Sequence, residues 1–347
     1  MKHVVAFVLA LGLALSLAAC GGDAETGGAP SARGDGTAEK DWGKIELVGK
    51  SGSLCAAPTY IAYENGYFAE EGFDVTLITA DGETRKVGLN NGTLPLTNTD
   101  FQFFPPIAQG MKFSVVEGLH YGCISIVVKP DSGITEPADL VGKTIGIDEM
   151  GSSPFQVASA WLAQNGIDIK TEVEIVPFGA DGNLQIEALK NGEIDATALW
   201  DPFGTVAEER EGFVKIFDLG THHDYAGKYC CFLFASDKVL DEEPEKIASL
   251  LRAYHKAQDW IAKNPYEAAK IVIDKKYVST GDYELASELL QSYRYPTYED
   301  RKEGKPTLEN DIRYFITELA KIDFLQTDDP EAFAKRIYRP VETNDYE

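Results

Sequence analysis

The chain has 347 residues, with 56 acidic against 32 basic side chains and a formal net charge of −24. So acidic a surface excludes nucleic acid as a partner, since binding it takes clusters of Lys and Arg. It also keeps the chain off anionic lipid heads, while leaving open the sign of any internal pocket.

Lys2 and His3 precede an almost unbroken apolar run over residues 4–17. The run is too short, and too closely followed by Gly and Asp, to be a spanning helix. It ends in Leu17-Ala18-Ala19-Cys20, which reads as a bacterial lipobox. That predicts a signal peptide over residues 1–19, cleavage before Cys20 and lipid on its sulfur. Residues 20–41 are rich in Gly, Ala, Ser and Thr without apolar periodicity, so they read as a lipid-anchored flexible tether. The expected location is extracytoplasmic, anchored to a bacterial cell membrane. The roughly 305 residues beyond the tether exceed what one hydrophobic core usually supports, so two lobes are expected.

From there short apolar runs alternate with helical patterns. Strands are predicted over 45–48, 74–79, 94–98, 114–119 and 124–129, with helices over 58–65, 83–91 and 101–109 between them. The rhythm resumes with strands over 144–147, 172–176, 196–199, 214–217 and 231–235 and helices over 154–165 and 184–191, then one ending near 211. Gly66, Gly92, Gly110, Gly166 and Gly192 stand just past helix ends, where a left-handed cap is needed. Such alternation implies an α/β fold with two parallel-dominated sheets flanked by helices. The last third is helical, over 244–263, 265–275, 283–293 and 308–321. Helices without a sheet of their own must pack back on the first lobe.

Enzyme chemistry finds little support. No Gly-x-Ser-x-Gly elbow, Walker-type loop or His-Glu-x-x-His is present, and neither catalytic residues nor a cofactor are expected. His222-His223-Asp224 with Cys230-Cys231 is the one tempting cluster. Adjacent His residues on a strand point to opposite faces, so no metal is assigned. With Cys20 lipidated, Cys55, Cys123, Cys230 and Cys231 remain, and they allow three disulfide pairings or buried free thiols.

Residues 58–75, Pro-Thr-Tyr-Ile-Ala-Tyr-Glu-Asn-Gly-Tyr-Phe-Ala-Glu-Glu-Gly-Phe-Asp-Val, resemble the opening helix of the nitrate/sulfonate/taurine-type solute-binding proteins, a group with thiamine-precursor binders. Three later blocks are similar to the same family in order and spacing: residues 139–146, residues 192–196 with Trp200-Asp201-Pro202, and residues 264–269. The resemblance implies a two-lobe type II periplasmic-binding-protein fold joined by two hinge crossings, over 124–130 and 230–236. Lobe 1 would take residues 42–126 and 234–347, and lobe 2 residues 127–233. It further implies the solute-binding subunit of an ABC importer, closing on a small organic anion such as a sulfonate or carboxylate, or on a planar heterocycle or aromatic compound. Its partners would be that ligand, the permease and its ATPase, and the membrane through Cys20, with the chain acting as a monomer. A thiamine-precursor-synthase-like enzyme and a ligand-sensing lipoprotein are the alternatives on this fold.

In open α/β sheets a ligand sits beyond the carboxyl ends of the strands. Four loops meet that description. The first carries Ser53, Leu54 and Cys55, and the second Asn98, Thr99 and Asp100, where Thr99 or Asp100 also suits a helix cap. The third carries Gly151, Ser152 and Ser153 before Pro154 and Phe155, an anion-ready helix start. Glu149 beside it would oppose an anion and favour a cation or amine. The fourth carries Trp200 and Asp201, which also fit a core Trp and a cap. Phe101, Phe103, Phe104, Tyr121, Phe155, Trp200 and Tyr229 crowd these loops, and about half of them are expected to face a ligand rather than the core. The candidate binding set includes Tyr121 and Tyr229 on that ground.

Overall fold

The computed structural model describes residues 40–49, 51–304 and 308–344. The signal peptide and Cys20 lie outside them. Ten strands form three sheets. β1 (Gly43–Val48) pairs in parallel with β2 (Phe73–Ile78). β3 (Leu96–Asp100) and β4 (Phe113–Tyr121) flank β10 (Tyr229–Ser236), both antiparallel to it. The third sheet runs in the order β7 (Glu174–Pro177), β6 (Thr144–Ile147), β8 (Ala196–Trp200), β5 (Ile124–Val128), β9 (Val214–Asp218). The chain therefore builds one sheet group, leaves it after β4 for a second, and returns with β10. Of the helices of the last third, Pro244–Lys263 and Pro265–Asp274 pack on the first group, whereas Glu309–Lys321 lies against both the Phe101–Phe103 turn and the Ser153–Gln164 helix of the second group, where Gln164 Nε2 donates to Glu318 at 2.9 Å.

The sheets are mixed rather than parallel-dominated. β6 is parallel to β7 and β8, yet β5 is antiparallel to β8 and β9. The antiparallel pairs come from the two strands that follow each change of sheet: β10 enters between the earlier β3 and β4, while the later β8 and β9 lay down on either side of β5, each pair running in opposite directions. Both read as continuous apolar runs, and every residue of β5 and of β10 is buried, as a central strand demands.

Most helix ends follow local chemistry. Asp81 and Asp181 cap the Gly82–Asn91 and Gly182–Asn191 helices, and left-handed Gly92 and Gly192 close them. The expected helix over 101–109 is a 3-10 turn, Phe101–Phe103, followed by a short helix, Phe104–Ala108. Pro105 and Pro106 have no N–H to extend it backwards. Four short helices were not anticipated: Tyr67–Glu70, Asp237–Glu242, Tyr298–Lys302 and Pro330–Ile337. The last two carried legible signals, a Thr297/Asp300 capping box and an Asp329 cap before Pro330.

Candidate functional site: a seam of carboxylates and thiols

Four strands deliver a polar residue to one seam between the two sheet groups. After β1 the chain reaches Ser53, whose hydroxyl caps the Leu54–Ala56 turn through Cys55 N at 3.1 Å. β3 ends on Asp100, which accepts from Gln102 N at 2.9 Å. β6 is followed by Asp148, and Ser152 caps the Ser153–Gln164 helix. β8 ends on Trp200 and Asp201, the latter joined to Pro202 by a cis peptide bond.

These loops hold one another. Ser153 Oγ donates to Asp100 Oδ2 at 2.8 Å, and Ser53 Oγ donates to the Asp201 carbonyl at 3.3 Å. Asp201 N donates to the Cys123 carbonyl at 2.9 Å, and Tyr293 OH reaches Asp201 Oδ2 at 3.3 Å. The seam is thus closed by direct contacts between β3 and β6 loops, and between the β1 and β8 loops.

Its electrostatics are those of buried acids. Burial pushes Asp148 up to about 6, although Ser152 Oγ donates to it. Burial raises Asp100 to about 6 and Asp201 to about 7 in the same way. Two cations act on these acids: Arg85 near Asp100, whose Nε donates to Ala80 O at 3.0 Å and whose guanidinium is depressed by its own burial, and Lys215 near Asp201. Lys215 is already paired with Glu208 and Asp218, so the three buried carboxylates still make this a place for hydrogen-bond donors.

The structure brings Ser53, Cys55, Asp100, Ser153 and Asp201 near one another. Ser152 turns to Asp148 instead. Asn98 and Thr99 are buried within β3, in register with Leu233 and Phe232. Leu54 is fully buried in the core. Phe155 packs on Phe324 at 5.2 Å between ring centroids, and Phe101 stacks on Phe315 at 4.3 Å. Tyr229 and Tyr121 form an edge-to-face pair at the start of β10. Phe103 and Phe104 belong to a cluster with Phe113, Phe232 and Phe234. Trp200 remains half-buried at the end of β8. Gly151 and Glu149 are exposed on a groove of about 370 Å³, together with Asp81, Lys86, Gln102 and Met150.

Sequence reasoning missed Arg85, Asp148 and Tyr293, which carried no motif. It also missed His120, although His120-Tyr121-Gly122-Cys123 has the His-x-x-Cys spacing of paired metal ligands. Nor does His222-His223-Asp224 sit on a strand. It lies on a turn, with the two rings 4.4 Å apart and ligand atoms within 4.8 Å of one another, so the opposite-faces argument does not apply. Cys230 and Cys231 are not with it. They lie beside Cys123, whose Sγ is 3.6 Å from each of theirs, and all four described cysteines are free thiols.

Residues 55–268 match the family described as NMT1/THI5 like. The formylaminopyrimidine-binding protein of Halalkalibacterium halodurans is 24% identical over 226 residues, 62% of this chain and 64% of that protein, so the chain spans under two thirds of its length. A 4-amino-5-hydroxymethyl-2-methylpyrimidine phosphate synthase of Aspergillus parasiticus is 26% identical, over 63% of this chain and 67% of that one. Among solved structures, the alkanesulfonate-binding protein SsuA of Xanthomonas axonopodis pv. citri superposes with a TM-score of 0.69 at 15% identity, covering 85% of this chain and 98% of that one. A Candida albicans protein described as exhibiting the generic periplasmic binding protein structural fold superposes at 0.66 and 14% identity, over 88% and 99%. The fold is therefore that of the periplasmic binding proteins, and the chain belongs to the NMT1/THI5-like family.

Proposed function

We propose that this chain is an extracytoplasmic solute-binding protein that captures a small molecule in the carboxylate-lined seam and presents it to an ABC permease and its ATPase. The observation that carries the reading is the set of hydrogen bonds joining strand-end loops of the two sheet groups, Ser153 to Asp100 and Ser53 to Asp201. A solute held there binds both halves at once and favours the closed arrangement by its differential affinity. In this reading the lobes are residues 42–126 with 234–347 and residues 127–233. Strand pairing supports that division to within a few residues, since β5 pairs with the second group and β10 with the first. Cys20 anchors a monomeric chain to the membrane.

Of the two ligand classes the sequence suggests, the planar heterocycle fits better. A sulfonate or carboxylate would add a charge beside Asp100, Asp148 and Asp201, against which stand Arg85 and a Lys215 already paired with Glu208 and Asp218. An amino-substituted heterocycle offers N–H donors to those oxygens and a flat face to Trp200. A thermal-shift screen over sulfonates, carboxylates and aminopyrimidines tests this. A true ligand at a hundredfold excess over its Kd stabilises the fold by about 2.7 kcal/mol, and Trp200→Ala should weaken it by about 1–3 kcal/mol, a few- to hundredfold. A shift with sulfonates alone refutes the heterocycle assignment, and no shift with any class refutes solute capture in this range.

A synthase is the second reading, favoured by the relatives named as pyrimidine phosphate synthases. Turnover of a bound pyrimidine into a new product by the purified chain would establish it.

A further inference from the structure

At the foot of the seam four side chains from four different places in the chain converge. Cys55 comes from the first ligand loop, His120 from the end of β4, Cys123 from the turn that leads to β5, and Cys231 from β10. Their three sulfurs and one ring nitrogen all lie within 4.8 Å of one another, and all four residues are buried. We propose that this set is a binding site for one thiophilic d10 cation, Zn2+ or Cu+, built into the floor of the solute cleft.

Three observations support it independently. The first is spacing. Four ligands around an ion with metal–sulfur bonds of about 2.3 Å stand about 3.8 Å apart along the edges of the tetrahedron. Cys123 Sγ and Cys231 Sγ are 3.6 Å apart, far beyond the roughly 2.05 Å of a disulfide, and the longest edge of the set has to close by only about 1 Å. The second is His120. Its Nδ1 lies 3.0 Å from the Tyr121 carbonyl, to which it must donate, so the lone pair is on Nε2. That Nε2 is fully buried and has no hydrogen-bond partner. A ring nitrogen left bare, with the other N–H fixed by a backbone carbonyl, is how metal-bound imidazoles are held. The ring is locked further by stacking on Tyr293 at 4.3 Å. The third is donor chemistry. Three thiols and an imidazole select soft and borderline ions over Mg2+ or Ca2+, which require oxygen ligands. A disulfide from Cys123 to either neighbour would consume two thiols and still leave Nε2 bare, so it accounts for less of the geometry.

Binding is a ligand exchange with no redox step. Each thiol that ligates releases its proton to solvent as the S–M bond forms, while neutral His120 donates its lone pair, so affinity rises with pH. The site joins the β1 loop, the β4–β5 turn and β10. An ion there ties together the segments that pass between the two sheet groups, whatever solute the cleft takes.

The experiment is metal loading of the full chain, purified under reductant, stripped with chelator, and desalted after incubation with Zn2+, with Cu+ in a thiol-competitor buffer, or with Co2+ as an optical probe. The expected result is one metal per chain, a thiolate-to-cobalt charge-transfer band with tetrahedral d–d bands, and release of the metal when the thiols are mercurated. Cys123→Ser and His120→Gln should each weaken binding by tenfold or more, while His223→Gln on the exposed His222-His223-Asp224 turn should leave it unchanged. Because these variants alter buried positions, the wild-type chain decides the matter alone. Fewer than about 0.1 equivalents of metal retained in every arm overturns the proposal, as does retention that survives mercuration. So would loss of metal in His223→Gln with retention in Cys123→Ser, or an intact mass showing two hydrogens missing through a Cys123 disulfide in a parallel preparation purified without reductant.

Discussion

Asp148 offers a sharp test of the seam's electrostatics. It follows β6, is 4% exposed, and burial holds its carboxyl at about 6 against an ordinary 3.8. The folded state therefore binds this proton more tightly than the unfolded chain. The associated stability is fully present below about pH 4 and is lost as pH climbs through about 4 to 6. At ~1.36 kcal/mol per pH unit that span is worth about 3 kcal/mol. Asp148→Asn keeps the shape and an acceptor for the Ser152 hydroxyl but cannot ionise. Urea unfolding of both proteins at pH 4 and pH 8 should give nearly equal free energies at pH 4. At pH 8 the variant should be the more stable, by about 2–3 kcal/mol. A gap of the same size at both pH values, or a variant less stable at pH 8, would refute the argument that desolvation dominates here.

Other expectations follow from packing. Phe315→Ala removes a ring that is 3% exposed and stacks on Phe101 at an interplanar angle of 6°, so urea unfolding should show a loss of about 3–5 kcal/mol. Gly182→Ala would put a Cβ 2.4 Å from the Phe203 ring, and a thermal melt should report a loss of about 1–3 kcal/mol. Ser153→Ala deletes the donor to Asp100 that joins the two sheet groups. Small-angle X-ray scattering of the unliganded variant should show a larger radius of gyration than wild type.

Much of this architecture could be read from residues alone, because its signals are local. β6 over Thr144–Ile147 and the Pro244–Lys263 helix lie where apolar period and Pro placed them. Ser53, Asp100, Ser153 and Asp201 met because strand ends in an α/β fold face one crevice. What was not legible depends on partners distant in sequence. Nothing near Phe101 or Phe155 says that Phe315 and Phe324 will cover them and turn both into core. Strand direction was missed for the same reason, since β5 and β10 pair with strands far from them in sequence. The Cys55, His120, Cys123 and Cys231 set joins residues far apart in sequence, and only the His-x-x-Cys pair within it could have been noticed.

β5 and β10 each lie in the middle of a sheet, hydrogen-bonded along both edges. Neither can bend without breaking ladders, so in the proposed reading a swing of one half against the other falls to the connectors outside them. Those connectors touch: Gly122, at φ +44°, leaves room for so little that an added Cβ would stand 2.5 Å from Gly220 Cα. Two backbones there graze each other without side chains between them. If hinge closure is how the chain takes its solute, a methyl group added there would obstruct it while touching neither sheet.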